Sequence, residues 1–271
     1  MTALERAMET GWLPGTPVGD TVLRRFLANQ AEVNEMLALA RGGVTERNDD
    51  VAMASAGPVT GFLNEALLLR PVLTGADPVL DAVAGFHARH GGLLVSIWPT
   101  PDLSGRGWHL VGHPTFVVRA PGPAAGASET APGVEVRDVT TVDGLRRFED
   151  VVAEGYPIER AADGAPTLAD PLLSTPLRLR TAAAGGRPVA AAMGHVSHGV
   201  VNLCLAATLP AARRRGAWAA LVWRRVVDDP TLPAVAFTSD LSRPGFERMG
   251  FLAVTRFTLW AVPGEGAAIS D

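Results

Sequence analysis

The chain has 271 residues, a formal net charge of −4 and 47% hydrophobic residues. This length accommodates one large domain or two of ordinary size, and either can bury a substantial core. The charge excludes a global positive field of the kind that attracts nucleic acid or an anionic membrane, so any anion site must be local.

The first half of the chain reads as a helix, strands and a second helix. From the expected N-cap Asp20 onward one helical face is apolar, and its members are Val22, Leu23, Phe26, Leu27, Val33, Met36 and Leu37. Strands are predicted at about 51–55 and 62–70, and a second helix after Asp77, where Pro78 takes the first helical position. The runs LLVSIWPT and HPTFVVRA predict two more strands that complete this half.

A segment rich in proline, glycine and alanine divides the chain. Residues 121–133 have no apolar periodicity and are predicted to form an exposed connector. We therefore expect an N-terminal domain over 1–120 and a C-terminal domain over 134–271. The tripeptide Asp-Leu-Ser occurs at 102–104 and again at 240–242, each time between a predicted strand and a Gly-aromatic pair, which favours a duplication over a chance match.

The second half alternates strands and helices in a definite order. VEVRDVTT predicts a strand and VDGLRRFEDVVAEG a helix, and three strands follow: LRLRTAAA, VAAAMGHVSH and VVNLCLAATL. Beyond residue 209 come a helix AWAALVWRRVVDD, a strand AVAFTSD, a short helix SRPGFERMG and a last strand FLAVTRFTLWAV.

The stretch LPAARRRGAWAAL, residues 209–221, has the composition of an anion site. A phosphate needs converging N–H donors and a positive potential, and a tight turn that opens a helix supplies both. Pro210 stops the preceding strand, three arginines add charge, and Gly216 lets the backbone bend while leaving room for a bulky anion. A solvated charged turn is the alternative, because arginines are common at surface helix ends.

The element order of the second half, with two motifs, resembles the GNAT acyltransferase superfamily. The family's loop pattern is Gln/Arg-x-x-Gly-x-Gly/Ala, which residues 213–217 match up to the last place, and FERMGF at 246–251 looks like the family's Tyr-Glu-x-x-Gly-Phe ending. The resemblance covers about 134–262 and reaches the first half through the repeat. It implies an α/β (α+β) fold of two GNAT-like, mixed and mostly antiparallel sheets flanked by helices, with a degenerate first copy.

The resemblance also implies acetyl-CoA, or another acyl-CoA, as co-substrate. Loop amides would hold the pyrophosphate, the preceding strand would pair with the pantetheine arm, and Ser239 would lie near the thioester. The implied cofactor-binding residues are Ala206, Ala207, Thr208, Arg213, Arg214, Arg215, Gly216, Ala217, Trp218 and Ser239. Trp218 stands where the pattern has Gly or Ala, so its indole points away from the phosphates, covers the adenine side or packs beneath the helix.

Two positions depart from the family's usual acid and base. Phe246 stands where many relatives have a tyrosine that protonates the CoA thiolate, and a phenyl ring cannot donate a proton. The strand before the loop carries Asn202 and Cys204 where relatives often have a glutamate, and neither is a good base at neutral pH. Asn202 can still orient a water or the acceptor. The catalytic candidates are therefore Asn202, Asp240, Glu154 and Tyr156, with solvated or helix-capping roles as the alternative for the last three.

Two further residue types carry chemistry in other proteins. His195 and His198 lie on one predicted strand and can orient an acceptor, but without a third ligand nearby we expect a surface pair and no metal. Cys204 can act as a nucleophile only with a lowered pKa and a partner such as His195, so a buried, inert thiol is the preferred interpretation.

The expected surroundings follow from what the sequence does not contain. The single cysteine cannot form an internal disulfide, the acidic N-terminus has no secretion signal, and no apolar window approaches the length of a bilayer span. We expect a cytoplasmic protein without nucleic-acid or membrane partners. Its expected partner is a small-molecule or peptide amine acceptor, and the sequence is compatible with a homodimer.

The first half is expected to bind no second CoA. Its equivalent loop, RPVLTGADPVLD, places Asp77 and Asp81 at the helix N-terminus, where they would repel a pyrophosphate. This half either covers one side of the acceptor site or forms an interface.

The sequence thus predicts an N-acyltransferase that acetylates an amine by direct attack in a ternary complex. An acyl-CoA-binding or sensing protein without turnover and a cofactor-free interaction scaffold are the alternatives.

Overall fold

The computed structural model describes residues 21–59, 61–124, 131–156 and 164–265. The α-helices in these ranges are α1 (Val22–Ala40), α2 (Pro78–His87), α3 (Val142–Gly155), α4 (Ala217–Val226) and α5 (Arg243–Arg248). Within the same ranges, no helix combines the length and the apolar character that crossing a membrane requires.

The strands of these ranges form two sheets. The strands are β1 (Val44–Arg47), β2 (Val51–Ser55), β3 (Asn64–Leu68), β4 (Gly92–Ser96), β5 (His109–Gly112), β6 (Thr115–Arg119), β7 (Val134–Asp138), β8 (Arg178–Ala184), β9 (Arg187–Ser197), β10 (Val200–Asn202), β11 (Ala206–Thr208), β12 (Ala234–Thr238), β13 (Leu252–Arg256) and β14 (Thr258–Val262). The first sheet has the order β1-β2-β3-β4-β14-β5 and the second the order β13-β6-β12-β10-β9-β8-β7, with β11 attached to β9. This arrangement confirms the predicted fold class.

The two sheets share one connection pattern. In the first sheet, β1, β2 and β3 are antiparallel, and α2 then leads to β4, which lies parallel to β3. In the second sheet, β8, β9 and β10 are antiparallel, and α4 leads to β12, which lies parallel to β10. The repeated order agrees with the predicted duplication.

A long two-stranded ribbon joins the sheets. Its one side runs from β5 into β6 and its other side from β13 into β14, so that β6 pairs with β13 and β14 with β5. Beyond the ribbon, β6 also pairs with β12 and β14 with β4. Each half of the sequence therefore supplies an internal strand to the sheet of the other half. The last predicted strand is in fact two, because the buried Phe257 turns into the core between them.

Helix α1 lies between the two sheets. Its N-cap is Thr21 rather than the predicted Asp20, which lies outside the described residues, and the Thr21 hydroxyl accepts a hydrogen bond from the Arg24 amide at 3.3 Å. Phe26 packs against Phe116 of β6 and against Phe257, with ring centroids 4.9 and 5.7 Å apart. The halves therefore share one apolar core, although the predicted connector separates them in sequence.

Candidate functional site

The strand predicted from VVNLCLAATL is broken in the middle. β10 pairs with β12 through Asn202, and the Leu203 amide still donates to the Val235 carbonyl at 2.8 Å. Beyond this point β11 pairs with β9 alone, and its register against β9 is shifted by one residue from that of β10. The strands β11 and β12 therefore diverge, and a gap opens at the centre of the second sheet.

The edge of β11 that faces this gap carries unpaired backbone groups. The Met193 amide donates to the Leu205 carbonyl at 2.9 Å, and the Leu209 amide donates to the Val189 carbonyl at 2.9 Å. Because antiparallel bonds alternate along a strand, Ala207 completes the ladder with β9, while Ala206 and Thr208 turn their backbone groups towards the gap. Of these groups, the Thr208 carbonyl accepts a hydrogen bond from Nε of Arg213 at 3.3 Å. Of the three residues expected to pair with pantetheine, two thus turn backbone groups towards the gap.

A buried arginine holds the break open. Arg225 of α4 is fully buried, and its Nη1 donates to the carbonyls of Met193 and Cys204, both at 2.9 Å, while its Nε donates to the Leu221 carbonyl. These carbonyls lie where the ladder is interrupted and would otherwise be buried without a donor. Burial lowers the pKa of Arg225 to about 10, which leaves it charged at neutral pH.

The loop after β11 leads into a helix N-terminus without a side-chain cap. Arg214 and Gly216 have left-handed φ angles of 62° and 86°, and α4 begins at Ala217 with no capping side-chain bond and no acidic residue in its first turn. The guanidinium of Arg213 bonds the carbonyls of Thr208 and Gly155, at 3.3 and 3.1 Å, and braces the loop. Arg214 and Arg215 are exposed beside the first helical amides, and this geometry suits an anion.

Trp218 joins α4 to α5 on the other side of the gap. Its indole meets the Phe246 ring edge-on, with centroids 4.9 Å apart, and a Cβ on Gly245 would come within 2.8 Å of it. Phe246 itself is buried and packs on Phe251. The indole therefore packs against α5, and Phe246 is part of the core.

Solved structures share this arrangement across most of their length. A GCN5-related N-acetyltransferase from Kribbella flavida is 18% identical to this chain and has a TM-score of 0.60 over 90% of this chain and 96% of that one. A conserved protein of unknown function from Staphylococcus epidermidis is 12% identical, with a TM-score of 0.59 over 81% and 94% of the two chains. A protein assigned to the GNAT family from Novosphingobium aromaticivorans is 12% identical, with a TM-score of 0.55 over 87% and 97%. No family model and no curated protein matches the sequence.

The chain has the fold of the GCN5-related N-acetyltransferases. In this GNAT fold the diverging strands are β11 and β12, and the predicted motif at 213–217 forms the loop between β11 and α4. The predicted resemblance is thus confirmed for the fold, and the repeated strand order gives the chain two GNAT-like sheets.

The structure places the predicted catalytic residues in different surroundings. Asn202 is buried on the α1 side, where its amide donates to Asn29 and Gln30 at 2.9 Å each. Asp240 pairs with Arg256 at 2.9 Å, and hydrogen bonding by Arg256 lowers the pKa of this exposed carboxyl, which makes it a weaker base. The other candidates are exposed near the end of α3, namely Glu154 and Tyr156.

Ser239 and Cys204 lie in a turn and in the core, respectively. Ser239 directly follows β12, and its hydroxyl lies 3.1 Å from that of Ser242 in the turn that starts α5. Burial raises the pKa of the Cys204 thiol to about 12, so it remains protonated and is no nucleophile. His195 bonds Glu32 rather than Cys204.

The two predicted histidines bind a carboxylate of α1. Glu32 accepts from Nε2 of His195 at 3.0 Å and from Nε2 of His198 at 2.7 Å. Although burial raises the pKa of Glu32, hydrogen bonds from His195, Ser197 and His198 outweigh it and lower the pKa to about 2. These hydrogen bonds of Glu32 connect α1 to the β9–β10 hairpin. Across the described ranges, no cluster of three or more His, Cys, Asp or Glu side chains is placed to hold a metal ion.

At the equivalent helix N-terminus of the first half, an aspartate side chain caps the helix. Asp77 caps α2 by accepting from the Val79 amide at 3.1 Å, and Arg70 bridges Asp77 and Asp50 at 2.7 Å each. Asp81 in the first turn pairs with Arg106. A carboxylate thus stands where a phosphate would bind, as the sequence indicated.

Sequence reasoning missed one buried carboxyl group of the first sheet. Glu65 of β3 is 6% exposed, and burial raises its pKa to about 7. Asn34 of α1 donates to its Oε2 at 2.8 Å. A glutamate inside the predicted strand at 62–70, directly before the apolar run ALLL, was the available signal.

Proposed function

We propose that this protein transfers an acyl group from acyl-CoA, with acetyl-CoA as the expected donor, to the nitrogen of an amine. The observation that carries this proposal is the continuity of two features. The free edge of β11 leads directly into a loop with an uncapped helix N-terminus and two exposed arginines. An extended amide-bearing chain that ends in a pyrophosphate matches such a path, and the N-acetyltransferase among the structures of this fold supports it.

Each part of the cofactor has a proposed set of partners. The amides from Arg214 to Trp218 bind the pyrophosphate, and the side chains of Arg214 and Arg215 add charge. The backbone groups of Ala206 and the amide of Thr208 pair with the pantetheine arm as a strand added to a sheet edge. Arg225 holds this edge away from β12 and so acts on the cofactor only through the backbone.

The proposed reaction is a direct attack. The amine nitrogen forms a bond to the thioester carbonyl carbon, the carbon–sulfur bond breaks, the amine loses a proton, and the CoA thiolate takes one from water because Phe246 has none to give. Binding amine and thioester side by side supplies much of the rate, and backbone N–H groups at the strand break polarise the carbonyl.

Acyl-CoA binding without transfer is the second candidate function. The observations that favour it are the phenyl ring at Phe246 and the enclosure of Asn202 in hydrogen bonds to α1. It predicts the same cofactor affinity but no release of CoA.

The test is the release of free CoA thiol from acetyl-CoA in the presence of a broad panel of amines. We expect thiol release that depends on at least one amine and yields its acetyl amide by mass spectrometry. If acetyl-CoA binds but stays intact with every amine, the transferase proposal is wrong and the binding function replaces it. If acetyl-CoA does not bind, both are wrong and an interaction scaffold remains.

A further inference from the structure

Glu65 lies in a position that costs the fold stability. It is an ionisable group in the core of β3, and its cross-strand neighbours are Ala54 and Leu93. In the described part of the chain it has no ion-pair partner, and the Asn34 amide is its hydrogen-bond donor. Glutamine could accept the same hydrogen bond without the penalty of burying a charge, so packing alone does not explain the glutamate.

A chain of side-chain amides connects this carboxyl to the gap. Nε2 of Gln30 donates to Oδ1 of Asn34 at 2.8 Å, and Nδ2 of Asn202 donates to Oε1 of Gln30 at 2.9 Å. Asn202 is the last residue of β10, directly before the strand break. The amide chain fixes the position of Glu65 relative to the gap.

The charge of Glu65 also acts on a residue of the break. The charge of Glu65 is among the groups that raise the pKa of the Cys204 thiol, after the larger effect of burial. Cys204 and Leu205 belong to an apolar cluster that also contains Met36 of α1 and Phe62 of the first half. The wall on this side of the break is therefore apolar, comes from both halves, and has Glu65 as an acidic group beside it.

We infer that the acceptor amine binds between the two halves, on the α1 side of the β10–β11 break, and that the Glu65 carboxylate takes its proton. This inference rests on the proposed acyl transfer. As the nitrogen–carbon bond forms and the carbon–sulfur bond breaks, the proton leaves the amine nitrogen for Glu65, directly or through one water. The first half thereby supplies the base that Asn202 cannot be.

The inference predicts a defined pH dependence. The groups that face Glu65 are the Asn34 amide from α1, aliphatic neighbours from β2 and β4, and the Cys204 thiol, which is neutral below a pKa of about 12. The pKa of Glu65 is about 7. When kcat/KM is calculated from the concentration of unprotonated amine, it should therefore rise with pH through an inflection near pH 7.

The experiment compares Glu65→Gln with the wild type in acetyl transfer to the amine found by thiol release. We expect kcat/KM to fall by about 100-fold or more, the inflection to disappear, and the calorimetric affinity for acetyl-CoA to stay unchanged. The matched control is Glu35→Gln, which removes a half-buried carboxylate one residue from Asn34 that pairs with Arg47 at 3.7 Å. It should keep the wild-type rate and inflection.

A second variant separates proton transfer from folding. Asn34→Ala removes the donor that lowers the pKa of Glu65, so the inflection should move to higher pH while activity above it persists. If Glu65→Gln keeps the wild-type rate and inflection, or if the inflection of Asn34→Ala stays at the wild-type pH, Glu65 is not the base. Either result would leave the proposed acyl transfer unaffected. A wild-type protein that transfers to no amine would refute both.

Discussion

Arg225 shows how a single side chain can shape a binding edge that it does not touch. Its guanidinium satisfies two carbonyls at the point where β10 becomes β11. A buried charge is costly, and Nη2 of Arg225 has no hydrogen-bond partner among the described residues, so this arginine is not explained by stability alone. Its effect is to keep the strand break in place.

Replacing Arg225 should therefore damage both the fold and the free edge of β11. Arg225→Met leaves the Met193 and Cys204 carbonyls buried without a donor, and we expect a loss of about 2 kcal/mol in the free energy of unfolding. The neighbouring Arg224→Met removes a half-exposed guanidinium that lies 3.4 Å from Asp228. Asp228 keeps its closer partner Arg180 at 2.7 Å, so the change should cost well under 1 kcal/mol. Urea titrations of the two variants test this, and equal midpoints would contradict the role given to Arg225.

Glu65 should make stability depend on pH. Its pKa is about 7 in the folded chain against 4.5 for an unperturbed group, so the native state keeps a proton that the unfolded chain has lost. Stability therefore falls as the pH rises between these two values, by roughly 3 kcal/mol in total for this group. Glu65→Gln should remove that fall. The urea midpoints of both proteins at pH 5 and pH 8 measure this fall. The same change in both proteins would show that the pKa of Glu65 is not raised.

At the scale of elements, the sequence predicted helices better than strand pairing. The periodic apolar residues of α3 and α4 and the capping pair Asp77–Pro78 are local signals, and the three helices form where they predict. The run VVNLCLAATL carries no local sign of its break, because the shift at 203–205 is imposed by pairing with β9 and by Arg225. The free edge of the site could not be derived from that run.

Helix α1 shows a second limit of pattern reading. Its apolar face was predicted, but Asn29, Gln30 and Asn34 are buried as well. A helix packed between two sheets is covered on more than one side, and polar residues are then tolerated when they bond one another. Sequence alone reads such residues as a solvent face, so the network that leads to Glu65 was missed.

The N-terminus of α2 provides a test of the expectation that the first half binds no second acyl-CoA. Asp77→Ala removes the cap and leaves Arg70 with Asp50 alone, and we expect a cost of about 1 kcal/mol. Asp81→Ala, whose carboxylate is largely exposed, should be close to neutral. Thermal unfolding compares the variants. Titration of each with acetyl-CoA should still give one site per chain, and a second site in the wild type would refute the assignment of this loop.

At the scale of the whole molecule, the ribbon makes the two halves depend on each other. The second sheet needs β6 between β12 and β13, and the first needs β14 between β4 and β5. A boundary at 121–133 is visible in the composition, whereas the exchange of strands across it depends on pairings between residues more than 100 positions apart. No periodicity within one half could have indicated it.

The two halves should consequently fold when both are present, and neither should fold when it is expressed alone. Residues 21–124 and 131–265, expressed separately, should each lose protection from proteolysis because an internal strand is missing. Co-expressed, they should form a stable 1:1 complex that purifies together. Cooperative unfolding of either fragment alone would contradict the shared core and ribbon.

We expect the strand break and the loop after it to bind acyl-CoA. Calorimetric titration with acetyl-CoA tests this expectation most directly, using wild type, the double variant Arg214→Glu/Arg215→Glu, and Arg187→Glu as an exposed charge control on the β8–β9 hairpin. We predict micromolar binding at one site per chain, lost in the double variant and retained in the control. Absence of binding in the wild type, or equal binding in all three, would show that this loop is only a charged turn.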